Sequence, residues 1–227
     1  MPDNPNISQE STGWDLLATG SKSLGLCLSQ RQIDAFRTYL DLITLWNSRM
    51  NLTAIREPEA IIRLHFLDSL AIVRFLAPDE RLLDLGSGAG FPGIPIKILY
   101  PDKQVVLVEA HGKKANFLRE VIRKLKLKKI QIVGERAEKL SPREIGFLKE
   151  LITRASGPLE NLLRIAAPLL APGGSFLIMS GPSGLKKFNA IEARGRAFNL
   201  GFKPGALEEY RLPIGQEART LLTFTRY

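Results

Sequence analysis

Two spacings of apolar positions divide the chain. Up to about residue 76 apolar side chains recur at helical intervals; from residue 81 short apolar runs alternate with helical stretches. Ser29 followed by Gln32 reads as a capping box. Behind it Ile33, Phe36, Leu40 and Ile43 mark one face of a helix over 29–47. Pro58 suits a first helical turn, and the apolar residues from Ile61 to Phe75 predict a second helix over 58–76, buried around much of its circumference.

The later pattern predicts strands over 82–85, 104–109, 130–133, 148–153 and 175–180, with helices over 92–99, 112–126, 159–170 and 185–200. Gly134 to Glu138 reads as a short turn and Pro172-Gly173-Gly174 as a turn into the fifth strand. Residues 206–212 and 220–226 read as a closing antiparallel pair. Strand–helix alternation implies a mostly parallel, doubly wound α/β sheet covered on both faces. The expected organisation is a disordered tail over 1–11, a helical cap over 12–78 and a catalytic unit over 79–227.

One stretch carries the chemistry. Leu82 to Gly93 is an apolar run, then Asp84, then glycines at 86, 88, 90 and 93. Glycines on alternate positions after a buried strand let the backbone turn tightly and bring its N–H groups against a ligand. Gly88 to Gly93 also satisfies the GxGxxG string of dinucleotide-binding folds, but Pro92 and Pro95 remove two of the donors a pyrophosphate would meet. The better fit is the Asp-x-Gly-x-Gly-x-Gly loop of class I S-adenosylmethionine-dependent methyltransferases, whose ligand has no phosphate. Glu109 closes the next strand, 23 residues after Gly86, where an acid binds ribose hydroxyls.

Composition narrows the field. With 227 residues, 44% of them hydrophobic, the chain supports one substantial core. It lacks an early apolar run behind a basic start and any run of the ~18 apolar residues that a membrane span requires, so a cytoplasmic protein with no membrane partner is expected. One cysteine and two histidines make a metal site improbable. The net charge of +9 favours a polyanion. Much of it lies on a predicted amphipathic helix bearing Lys113, Lys114, Arg119, Arg123 and Lys124, which reads either as an RNA-contacting face or as an ordinary solvated one. Aromatic residues are only 7%, which favours contact with an RNA backbone over base stacking.

Several motifs then carry a resemblance. They are Trp46-Asn47, Asn51 to Arg56, Arg63-Leu-His65-Phe-Leu-Asp68-Ser69, Leu83 to Pro95, Gly112-Lys113-Lys114 with Phe117-Leu118, Arg136-Ala137-Glu138 and Thr153-Arg154-Ala155. In this order and spacing the chain resembles the glucose-inhibited division protein B family, the bacterial small-subunit ribosomal RNA guanine-N7 methyltransferases. The resemblance implies a Rossmann-like class I fold and a monomer that methylates a guanine near the decoding site of 16S ribosomal RNA, free or in the small ribosomal subunit.

It also implies S-adenosylmethionine contacts from Gly86 and Phe91 of the loop, from Glu109, Ala110 and His111, from Ala137 and Glu138, and from Arg154; the loop pattern itself adds Asp84, Gly88 and Gly90 as cofactor-binding candidates. Arg154 has three open roles: holding the methionine carboxylate, approaching RNA, or pairing with Glu109 or Asp84. Asn51 is a second positioning candidate. Asn51, Thr53, His65 and Asp68 form either the cleft rim or buried bonds within the cap, with burial favoured for His65 and Asp68. Ser180 stands where the family has a lysine, so a cationic contact made there in relatives is either lost here or supplied by Lys186 or Lys187. Other readings remain: a small-molecule or protein methyltransferase, a non-enzymatic RNA-binding assembly factor and, more distantly, an oxidoreductase.

Overall fold

The computed structural model describes residues 13–154, 157–192 and 195–227. The expected tail over 1–11 and Ala155 of the last motif lie outside the described residues. Seven strands form one sheet: β1 Leu82–Leu85, β2 Val105–Val108, β3 Ile130–Val133, β4 Leu148–Thr153, β5 Leu170–Ser180, β6 Phe202–Arg211 and β7 Ala218–Arg226. Their order is β3-β2-β1-β4-β5-β7-β6. The first five strands are parallel, and β7 pairs antiparallel with both β5 and β6. The strand order reverses between β1 and β4, which opens a crevice at their carboxyl ends, where open α/β sheets bind ligands.

Alternation along the strands sorts the core. Val106, Val108, Leu83 and Leu85 face a cluster with Leu163, Phe176, Phe188 and Phe202. Val105 and Leu107 face the other way, into a cluster with Phe36, Tyr39, Phe66, Ile94, Phe117 and Leu118. The N-terminal helices α1 Gly13–Ser23 and α2 Gln30–Asn47 thus share one apolar cluster with α5 Gly93–Leu99 and α6 Gly112–Lys124. Ser29 and Gln32 form the expected capping box.

The predicted helix over 58–76 is not one regular rod. It comprises α3 Pro58–Ile61, a π-helical stretch Ile62–Leu67, α4 Asp68–Ala71 and a 3₁₀ turn Val73–Phe75. Ser69 Oγ donates to the His65 carbonyl at 2.6 Å, a side-chain bond of the kind that bends helices.

Further differences lie in the second half. The short helix α7 Pro142–Ile145 was not anticipated. Helix α8 Leu159–Ala166 ends early because β5 already begins at Leu170 and runs through the expected Pro-Gly-Gly turn. That turn survives as a bulge: partners shift from Leu148↔Leu170 to Glu150↔Ser175, and Gly173 has φ +78°. The expected 185–200 helix is two pieces, α9 Gly184–Glu192 and α10 Arg196–Asn199, with Gly195 left-handed at φ 60° between them. The closing hairpin starts earlier than read, at Phe202. Pro204 and Gly205 look like a turn but sit in edge strand β6, where proline is tolerated and the register shifts.

Candidate active site

Alternation within β1 turns Asp84 toward α5, and its Oδ2 accepts the Gly93 N–H at 3.0 Å. Its other oxygen, Oδ1, is buried without a hydrogen-bond partner. Burial raises the Asp84 carboxyl to about 7, an effect only partly offset by the Gly93 amide. The loop that follows needs its glycines: Gly86, Gly88 and Gly90 have φ of 73°, 59° and 98°. A Cβ on Gly90 would lie 2.7 Å from both Ile94 Cγ1 and the Tyr39 hydroxyl.

Glu109 links the two turns of the crevice. One of its oxygens accepts the Gly88 N–H at 2.8 Å and the other the His111 N–H at 2.7 Å. Each carboxylate oxygen keeps a second acceptor site. A hollow of about 290 Å³ lies beside it, lined by Gly86, Val108, Glu109, Ala110, Glu135, Arg136, Ala137 and Glu138. Sequence reasoning missed Glu135 and named Arg136 only as part of a motif; a 3₁₀ turn over Ala137–Lys139 brings the whole group together. A tight glycine turn and an acid with spare acceptor sites beside a hollow of this size fit the adenosine of S-adenosylmethionine, while Asp84, wholly buried and outside that lining, holds the loop through Gly93.

Phe91 is buried on the cap side of the loop, 4.4 Å from the His65 ring and nearly parallel to it. Arg154 follows β4, whose end is tied to β1 by the bond from Thr153 Oγ1 to the Leu85 carbonyl at 2.7 Å. Of the three roles open to Arg154, a structural ion pair is present but its partner is Asp68, 3.4 Å away, rather than Glu109 or Asp84. Those two carboxylates already bind backbone amides.

Asp68 also meets Arg219 Nε at 3.1 Å and the Tyr210 hydroxyl at 3.2 Å, so the hairpin strands β6 and β7 join the cluster. Neither of these residues was singled out from the sequence, and their spacing carries no signal for it. Asn51 is exposed and accepts a bond from Arg56.

The candidate cations do not form one patch. Those of α6 lie on the cap side of the sheet, where Arg123 pairs with Glu120 and Arg119 bonds Asn116. Lys187 lies on the opposite side, beside Leu159 and Arg196, and Lys186 shares that helix. Among the described residues no helix is long and apolar enough to cross a membrane.

A family model described as rRNA small subunit methyltransferase G matches residues 32–200. A ribosomal RNA small subunit methyltransferase G from Chloroflexus aggregans is 43% identical over 218 residues, covering 93% of this chain and 89% of its own. Another from Geotalea uraniireducens is 37% identical over 215 residues, covering 95% and 97%. Among solved structures, a SAM-dependent methyltransferase from Aquifex aeolicus matches with TM-score 0.54 at 16% identity, over 73% of this chain and 93% of that one. TYW2 from M. jannaschii, in complex with AdoMet, matches with TM-score 0.55 at 14% identity over 70% and 75%. These two likenesses concern the fold.

Proposed function

The chain belongs to the rRNA small subunit methyltransferase G family, and from that premise we propose that it methylates N7 of a guanine in 16S ribosomal RNA. It is a methyltransferase of ribosomal RNA that uses S-adenosylmethionine. The observation that carries the cofactor part of this reading is the Glu109 carboxylate, which spans the loop and the start of α6 beside the 290 Å³ hollow; the guanine N7 and the 16S RNA come from the family resemblance.

Asp84, Gly86, Gly88, Gly90 and Phe91 would hold the cofactor together with Glu109, Ala110, His111, Ala137 and Glu138. When bound, the cofactor would supply an electrophilic sulfonium methyl for the unprotonated lone pair of guanine N7, the N–C bond forming as the S–C bond breaks and the sulfur leaving as a neutral thioether. No proton has to leave the guanine, so no general base is needed. The residues suit such a reaction: Glu109 is engaged with two amides, Asp84 is wholly buried and outside the lining of the hollow, and burial beside the Arg154 charge lowers His65 to about 3, too weak a base at neutral pH. Their contribution is to position the reactants and set the electrostatics around the transferred methyl.

Residues 12–78 would act as the cap and 79–227 as the methyltransferase unit, in a cytoplasmic monomer. Lys113 and Lys114 at the start of α6, nearest the cleft, would meet RNA phosphates. The test is to incubate the protein with methyl-labelled S-adenosylmethionine and either deproteinised 16S RNA or unmodified small subunits, then to digest the RNA. Label in 7-methylguanosine supports the reading. Cofactor binding without label in either RNA overturns it in favour of a small-molecule or protein methyltransferase.

A further inference from the structure

The bent helix before the sheet reaches into the crevice at one side chain. The π-helical stretch sets His65 flat against Phe91 of the glycine loop, with Nδ1 3.4 Å from Arg154 Nη1 and Nε2 2.8 Å from Thr53 Oγ1. A guanidinium has only donors, so in this contact Nδ1 takes the acceptor role, and the imidazole proton then sits on Nε2 and is donated to Thr53; the competing tautomer would turn an Nδ1–H to the Leu64 carbonyl and accept the Thr53 hydroxyl at Nε2. Thr53 Oγ1 is held in turn by the Ile55 N–H at 3.2 Å. The contacts of Arg154 with His65, with the Leu64 carbonyl and with Asp68 are each 3.4 Å, long for hydrogen bonds, and its guanidinium lies 5.9 Å from the Phe91 ring centre. No one of these contacts is strong enough to fix the guanidinium; together they give it one direction. π-helical turns concentrate at functional sites, and this one brings the loop, the fourth strand and the cap to a single ring.

We infer that His65 is a positioning residue for methyl transfer, setting the direction of Arg154 at the cleft through a hydrogen-bonded line from Thr53 while its ring supports Phe91. It touches no reacting atom and acts through those two side chains. The low proton affinity keeps the imidazole neutral throughout the neutral range, so one ring nitrogen stays an acceptor. Any buried histidine needs polar partners on its nitrogens; what points beyond packing is that one partner is the strand-end Arg154 and that the ring stacks on the cofactor loop. The inference rests on the methyltransferase reading above.

His65→Phe keeps a ring on Phe91 and removes both hydrogen bonds. It is expected to lower kcat about 10- to 100-fold, with KM for RNA within about twofold and an unchanged melting midpoint. His65→Asn, whose Oδ1 takes the place of Nδ1, should recover part of that loss. Because His65 acts through Arg154, the pair His65→Phe with Arg154→Ala should be no slower than Arg154→Ala alone.

A second readout needs neither RNA nor cofactor: ¹⁵N spectra of the imidazole, one of only two in the chain, should show the Nε2–H form. Wild-type turnover in His65→Phe, multiplicative losses in the pair, or a proton on Nδ1 would overturn the inference. If His65→Phe does not fold, Thr53→Val asks the same question, and unchanged kcat there overturns it equally. Wild-type protein that methylates no RNA defeats the functional reading; wild type and His65→Phe that methylate alike defeat this inference alone.

Discussion

The Tyr39 hydroxyl donates to the Ala89 carbonyl over 2.5 Å, joining the second N-terminal helix to the middle of the glycine loop. Tyr39 is fully buried, and burial, with the nearby Asp84 charge, holds its hydroxyl protonated and therefore a donor. Tyr39→Phe would strand a loop carbonyl away from water. A loss of about 1–3 kcal/mol in unfolding free energy is expected, with weaker cofactor binding by calorimetry. Binding and stability both at wild-type levels would show that the loop does not depend on the cap.

Asp84 makes stability depend on pH. Its carboxyl titrates at about 7 in the folded chain against 3.8 in the unfolded one, so between these values the folded form binds more protons. The stabilisation linked to this group is complete below pH 3.8 and is lost as pH rises through about 7. Asp84→Asn should flatten the fall in melting midpoint between about pH 4 and 7 seen without cofactor, and should weaken S-adenosylmethionine binding at least tenfold. Identical slopes in variant and parent would refute the assignment.

Gly90 combines a left-handed backbone with a filled Cβ position. Gly90→Ala therefore has to move Ile94, Tyr39 or the loop itself, at a cost of roughly 1–3 kcal/mol. We expect a melting midpoint lower by several degrees and no measurable cofactor binding. A variant that binds normally would mean that the loop relaxes freely.

Lys113→Ala, Lys114→Ala and Arg123→Ala combined should leave cofactor affinity intact and weaken RNA binding. The slope of log affinity against log salt should fall by roughly 0.7 for each phosphate contact removed. An unaltered slope would place the RNA elsewhere on the surface.

The legible parts of this molecule are those set by neighbours in sequence. The Asp84-to-Gly93 loop obeys constraints of backbone turn and close approach within a dozen residues, and Glu109 follows from the length of one strand–helix–strand unit. Arg154 was visible as a strand-end cation, but its partner Asp68 was not, because their meeting depends on a bend between Ile62 and Leu67 that a periodic apolar pattern smooths over. Tyr210 and Arg219 join that cluster from strands more than 140 residues further along, where spacing carries no signal. Lys186 read as a neighbour of the strand-end Ser180, and only the packing of α9 separated it from the cations of α6.

Glu109 has a last consequence. Because its two oxygens hold amides from both turns, the width of the crevice is a property of the chain itself. A preorganised recess spends little of a ligand's binding free energy on ordering protein. It also offers the same walls to every molecule carrying the same nucleoside, so the demethylated product should compete closely with fresh cofactor, and the rate at which spent cofactor is cleared becomes a natural brake on successive turnovers.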